Sequence, residues 1–252
     1  MKHFAVLAGT LIATLLVSAN NAVAAEAIYD WSGAYVGVSA GYGWNADDAQ
    51  YDGLENGVIN PVGLWAPYYP EYLGKKELSA DGFIGGLQAG ANHQVQGGYV
   101  FGGEADLSFS GIGESSGTPT PVGYFYPSTY YQDYKLEWFG TARLRAGYAF
   151  DRSLVYATGG LAIGNIKVDF ESDPDNLNLP HQGNGGGTKV GWVLGGGIEH
   201  ALSGALSIKG EYLYYDLADT SVGSVVVDPV YTTRFSSENT GHIVRVGLNY
   251  HF

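Results

Sequence analysis

Ser32-Gly33-Ala34-Tyr35-Val36-Gly37-Val38-Ser39-Ala40-Gly41-Tyr42-Gly43-Trp44 is the stretch on which the reading of this chain turns. Ala34, Val36, Val38, Ala40, Tyr42 and Trp44 share one parity, and Gly33, Tyr35, Gly37, Ser39, Gly41 and Gly43 the other. A strand sends alternate side chains to opposite faces. The segment therefore reads as a strand with one apolar face, able to meet lipid, and one face of small or mildly polar residues.

Seven more segments follow in the same style. Ser79 to Gln94 sets Phe83, Leu87, Ala89 and Ala91 outward against Gln88, Asn92 and Gln94, and Tyr99 to Gly111 sets Phe101, Ala105, Leu107 and Phe109 outward. Leu136 to Tyr148 places Trp138, Ala142, Leu144, Ala146 and Tyr148 on the outer face. Leu154 to Val168 is apolar on both parities, so its faces stay unassigned, and a bulge there is one way to account for that. Thr188 to Ala201 sets Val190, Trp192, Leu194 and Ile198 together, Leu206 to Leu217 groups Leu206, Ile208, Tyr212 and Tyr214, and His242 to Phe252 is the last segment.

The connections alternate in length. Asn45 to Leu78, Ile112 to Lys135, Asp169 to Gly187 and Ala218 to Gly241 are long, whereas Val95 to Gly98, Ala149 to Ser153 and Leu202 to Ala205 are tight. Short periplasmic turns, long outer loops and a weak dyad repeat mark a transmembrane β-barrel. A soluble sandwich would place Lys, Glu and Thr on its outer face; here that face carries Trp, Tyr, Phe, Leu, Val and Ala. Within lipid every backbone group must be paired inside the protein, which a closed barrel achieves. The expected fold is all-β, an eight-stranded antiparallel up-and-down barrel.

The amino end supports the same compartment. Met1-Lys2-His3 precedes the apolar run Phe4 to Val17 and the small residues Ala22-Val23-Ala24, the pattern of a cleaved secretory signal. That run is short of the roughly 20 residues a spanning helix needs. The expected division is a signal peptide over 1–24 and one barrel domain over 25–252, with no linker to suggest a second. Composition agrees: 39 Gly, 20 Tyr and 5 Trp suit strands and turns rather than helices. The net charge of −13, or −14 once Lys2 is lost with the signal, argues against nucleic acid as a partner. With no cysteine, stability has to come without disulfides.

Parity also turns charges inward: Glu104 and Asp106 on the third segment, Arg143 and Arg145 on the fourth, Glu199 on the sixth, Lys209 and Glu211 on the seventh, Arg245 on the eighth. Charges in a narrow lumen are tolerated when paired and hydrogen-bonded, and eight strands leave an interior just wide enough for side chains to fill. The expectation is an ion network that plugs the lumen; the alternative is the charged constriction of a small diffusion porin. At the carboxyl end Tyr250 and Phe252 share the outward parity of Leu248 and Val246, and a terminal aromatic residue on a last strand resembles the signal read by the barrel-assembly machinery.

Trp31-Ser32-Gly33-Ala34-Tyr35-Val36-Gly37, Trp138-Phe139-Gly140-Thr141-Ala142-Arg143-Leu144-Arg145-Ala146-Gly147-Tyr148, Tyr156-Ala157-Thr158-Gly159-Gly160 and Lys209-Gly210-Glu211-Tyr212-Leu213-Tyr214-Tyr215-Asp216-Leu217 carry a resemblance. The chain is similar over essentially its whole mature length to the major surface-antigen outer-membrane proteins of rhizobia and brucellae, a porin-family group. The resemblance implies an OmpA-like barrel in the outer membrane of an alphaproteobacterium, contributing to envelope integrity and displaying loops. Some relatives are described as pores or haem binders. Ending at Phe252, the chain is expected to lack a peptidoglycan-binding domain.

Other motifs fail. No His-x-Ser pair is present, and Glu199-His200 places its two side chains on opposite faces of a strand, so no enzyme is expected. Gly183 to Lys189 has Lys after Thr where a phosphate loop needs Gly-Lys-Ser/Thr, and reads as a flexible loop end. No spacing suggests zinc, and no cofactor is expected. Tyrosines cluster in the first two long connections, Tyr68, Tyr69 and Tyr72 and then Tyr124, Tyr126, Tyr130 and Tyr131. They offer aromatic contact area for haem, a glycan or a host or surface ligand, a weaker third reading beside an interfacial aromatic belt. Acidic loop residues including Asp47, Asp48, Asp173 and Asp175 suggest a divalent-ion link to lipopolysaccharide.

Overall fold

In a computed structural model the described residues are 29–45, 48–52, 75–77, 80–122, 126–172, 182–225 and 232–252. The expected signal segment lies outside them, as do Tyr68, Tyr69, Tyr72, Tyr124, Asp47, Asp173 and Asp175. Among the described residues eleven strands run in chain order: β1 (Gly33–Asn45), β2 (Asp48–Asp52), β3 (Lys75–Glu77), β4 (Asp81–Gln94), β5 (Tyr99–Ser110), β6 (Gly113–Val122), β7 (Tyr126–Phe150), β8 (Ser153–Ser172), β9 (Gln182–Ala201), β10 (Leu206–Val225) and β11 (Thr232–His251). Eight of them, β1, β4, β5 and β7 to β11, form a closed antiparallel ring in which β11 returns to β1, from Tyr35↔His251 to Asn45↔Gly241. Closure leaves no sheet edge in the ring, as lipid requires. The strands β2, β3 and β6 add to the ring at the end of the long connections, β2 on β11 and β6 on β7.

The outward parity is as expected. Phe83, Phe109 and Leu144 are each more than 70% exposed, and such side chains are stable there only against lipid. Inward glycines alternate with large inward side chains, which is how a narrow barrel is filled. Gly90 faces Tyr35 across the β1–β4 ladder, and a Cβ on it would stand 2.4 Å from the Tyr35 hydroxyl oxygen. Gly90→Ala should therefore push Tyr35 from its seat and cost about 1–3 kcal/mol, read as a lower urea midpoint in detergent; an unchanged midpoint would contradict this packing.

Three expectations need correction. Much of the long connections Ile112–Lys135, Asp169–Gly187 and Ala218–Gly241 is strand: β6 and β7 pair from Gly113↔Lys135 to Val122↔Tyr126, β8 and β9 pair out to Glu171↔Gln182, and β10 and β11 out to Val225↔Thr232. In these segments the sequence shows no apolar alternation of period two, while the backbone ladder continues through them. Tyr126, Tyr130 and Tyr131 accordingly lie on β7 rather than in a loop.

Gly183 to Lys189 likewise belongs to β9, not to a flexible loop end. Gly186 and Gly187 take φ of +124° and +118°, a backbone that glycine alone adopts readily. Finally, β8 alternates without interruption: Val155, Leu161 and Ile163 face outward while Leu154, Tyr156, Ala162, Ile166 and Val168 are buried inside. The bulge sits on its neighbour, where the β7–β8 register shifts between Leu136 and Trp138. Glu137 is the extra residue, and it turns Leu136 inward although Leu136 shares the parity of the outward Trp138.

Candidate functional site

The lumen is built from three layers that follow one another along each strand. At the short-turn end Trp31 packs with Val100, Ala149, Leu154, Tyr156 and Ala201. At the long-connection end Ile84, Phe139, Ile166, Val193, Leu213 and Ile243 are among a second buried apolar cluster. Between them lie all eight inward charges picked out by parity, each no more than 8% exposed.

Strand register places opposite charges side by side: Glu104 opposes Arg143, Glu199 opposes Lys209, and Glu211 opposes Arg245. Contacts across the lumen then join these pairs. Glu104 is the hub: its Oε1 lies 2.5 Å from Arg143 Nη2 and 2.7 Å from Lys209 Nζ, with Arg245 at 3.6 Å, and its Oε2 accepts a bond from the Tyr35 hydroxyl at 2.7 Å. Arg145 Nη1 approaches Glu104 at 3.7 Å while its Nη2 donates to Glu199 at 2.9 Å, and its guanidinium lies 3.9 Å from the centre of the Tyr156 ring.

Asp106 accepts from Thr141 at 2.5 Å and pairs with Arg143 and Arg245 at 3.1 Å. Glu211 pairs with Arg245 at 2.7 Å and Arg143 at 3.1 Å and accepts from Tyr156 at 2.9 Å. Four acids and four bases thus balance in formal charge. The neutral members Tyr35, Thr141, Tyr156, Ser207 and Asn249 were not picked out from the sequence, although all lie on inward parity.

The segment before β1 closes the short-turn mouth. The Tyr29 N–H donates to Asp151 O and its hydroxyl to Gly204 O, each at 2.8 Å, and the Trp31 N–H donates to Gln94 Oε1 at 2.8 Å. Asp30 accepts the Ser32 N–H at 2.9 Å, a bond that holds its carboxyl below the usual value. Trp31, fully buried, meets Tyr29 and His251 edge-on, with ring centres 4.9 and 5.7 Å away.

A serine, a histidine and an acid meet beside it: Ser207 Oγ is 2.9 Å from His251 Nε2 and donates to Glu199 Oε1 at 2.6 Å. A nucleophile's base must use one ring nitrogen for the serine and the other for the acid. Here Glu199 approaches the same Nε2, at 3.5 Å, and Ser207 is fully buried. The trio therefore lacks the geometry of a nucleophile and is bonded into the wall.

Aromatic side chains ring the outer face. Trp44 and Tyr212 stack on His242, and Trp192 packs on Tyr214. Tyr250 and Phe252 pack edge-on, 5.3 Å between ring centres, and both are exposed on the lipid-facing side.

A closed ring with a lipid-facing exterior agrees with the comparison to known families, in which residues 10–252 match the model described as an outer membrane protein beta-barrel domain. The chain belongs to that family. A 31 kDa outer-membrane immunogenic protein of Brucella melitensis biotype 1 is 35% identical over 250 residues, covering 96% of this chain and 93% of the relative. A 22 kDa outer membrane protein of Rhizobium leguminosarum bv. viciae is 30% identical over 165 residues, covering 63% and 67%. Among solved structures, the outer membrane protein OprG of Pseudomonas aeruginosa aligns with a TM-score of 0.48 at 12% identity, covering 90% of this chain and 100% of that one. The family places this β-barrel protein in the bacterial outer membrane, in contact with lipid, and the likeness to rhizobial and brucella surface antigens read from the sequence holds.

Proposed function

We propose that the protein is a structural, surface-displaying barrel whose lumen is closed, serving envelope integrity rather than diffusion or catalysis. The observation that carries this reading is the eight-charge network held around Glu104 between two apolar layers. An ion crossing the barrel would have to enter a dry apolar layer and then displace one partner of a balanced network, and both steps are costly. The small-porin reading lacks an aqueous channel, which belongs to barrels of 16–18 strands. Tyr250 and Phe252 serve recognition by the barrel-assembly machinery, and the outer aromatic ring seats the barrel at the lipopolysaccharide boundary. The extended outer strands present the surface that a host or environmental ligand meets.

The test is conductance across a planar bilayer, using mature protein refolded in detergent and shown to be closed by a heat-dependent gel shift. No discrete steps are expected, and Arg143→Ala should stay silent too, because Phe139, Leu213 and Ile243 remain across the lumen. Steady ion-selective steps from the unmodified protein would overturn the reading.

A further inference from the structure

Near the short turns the outer face of the ring is indented. Tyr99 opposes Tyr148 and Phe101 opposes Ala146 across β5 and β7, and the same two rows continue to Val155 and Ala157 on β8. All six side chains are exposed on the outward parity. The two alanines, side by side, lower the floor, and the larger side chains stand around them as walls. Together they bound a groove of about 500 Å³, within the roughly 300–1,000 Å³ of clefts that hold small apolar ligands. Leu144, 77% exposed, stands beyond Ala146 on the next outward row of β7.

The side chains that line this groove are apolar or aromatic, and its polar tips are tyrosine hydroxyls. Tyr99 and Tyr148 meet edge-on, 5.5 Å between ring centres. Both rings lie beside the turn that joins β4 to β5: a Cβ on Gly97 would stand 3.8 Å from Tyr99 Cε2, and one on Gly98 would stand 3.3 Å from Tyr148 Cε2. Gly98, at φ +86°, thus makes the turn and also leaves room for the Tyr148 ring. The two tyrosines therefore stand at the turn end of the groove, and the floor of alanines runs from them toward the middle of the ring.

We propose that this groove seats one acyl chain of a bilayer phospholipid, with the head group held at the hydroxyls of Tyr99 and Tyr148. The occupant follows from where the groove lies. It is continuous with the lipid-facing exterior of an outer-membrane barrel, so hydrocarbon chains already border it. An uncharged, largely apolar lining gives an ion or a glycan little to bind. A tyrosine joins an apolar ring to a polar tip, which suits the boundary where chain meets head group. Short turns of such barrels lie on the periplasmic side, where the leaflet is phospholipid. This inference is independent of whether the lumen is closed.

The probe is palmitoyl-oleoyl phosphatidylethanolamine, titrated into the protein folded in detergent with 13C at its alanine methyls. The methyl signals of Ala146 and Ala157 should shift saturably, whereas those of Ala89 and Ala142, outward on the same exterior but outside the groove, should drift without saturating. Ala157→Leu fills the floor and should abolish the saturable response of Ala146, with the heat-dependent gel shift unchanged. Tyr99→Phe with Tyr148→Phe keeps the walls and removes both hydroxyls, and should weaken binding about tenfold. Four alanines that respond alike, or saturation that survives Ala157→Leu, would overturn the proposal. Equal affinity in the double tyrosine variant would overturn it as well, because the head group would then have no seat. So would the same methyl shifts on raising protein concentration without lipid, since the groove would then receive a second copy of this chain.

Discussion

Glu104→Gln is expected to lower the stability of the folded barrel by about 3–5 kcal/mol, the range for breaking a buried ion pair by removing one partner. The substitution keeps the shape of the side chain and takes away one negative charge. Four cations, Arg143, Arg145, Lys209 and Arg245, all lie within 3.7 Å of that carboxylate. With it gone, three acids face four bases, all of them buried, and Lys209 suffers most. Its ammonium bonds both Glu104 oxygens, at 2.7 and 2.8 Å, and its remaining acid, Glu211, is 3.9 Å away.

Removing that ammonium as well, in Glu104→Gln with Lys209→Met, should recover most of the loss, because formal charge balances again and the methionine fills the stem of the lysine. Urea midpoints of the three proteins in detergent, followed by circular dichroism, decide the matter. A single variant as stable as the parent would show that the network tolerates an unpaired charge. A double variant no better than the single would place the cost in lost packing instead.

The ring and its ion network were legible because both rest on a period of two. Once Ser32 to Trp44 had fixed which parity faced lipid, the inward residues of the other segments followed, and the eight charges came out together. The outer apolar layer was as legible by the same rule, since Leu213, Tyr215 and Leu217 continue the parity of Lys209 and Glu211, and Ile243 that of Arg245. Apolar side chains on an inward face read as ambiguity rather than as a seal, and this is why β8 appeared to lack a face.

What could not be read rests on other physics. The bulge at Glu137 inverts parity for Leu136 without any glycine or proline to announce it. The outer halves of β7 to β11 carry no apolar alternation in the sequence while their backbone pairing continues. The segment from Tyr29 to Ser32 has no period at all, because it is placed by bonds to Asp151, Gly204 and Gln94, in turns and strands remote in sequence.

That segment carries the second large effect. Trp31→Ala should cost about 3–5 kcal/mol, as for removal of a fully buried aromatic side chain. The ring fills the short-turn mouth against Val100, Leu154 and Tyr156 and meets Tyr29 and His251. Its loss leaves a cavity that the closed ring of strands cannot collapse to fill. Because Trp31 Nε1 is buried with no hydrogen-bond partner among the described residues, the indole acts through its volume, and Trp31→Phe should retain most of the stability.

Hydrogen exchange supplies a second readout. The amides of Tyr29 and Trp31, bonded at 2.8 Å to Asp151 O and Gln94 Oε1, should be protected in the parent and exchange freely in Trp31→Ala. The charges above stay sealed from the outer side by Phe139 and Leu213, so conductance should remain absent in the variant. Rapid exchange of both amides in the parent, with an unchanged unfolding midpoint in Trp31→Ala, would mean that the segment rests against the mouth without closing it. The ion network would then have no seal on the short-turn side.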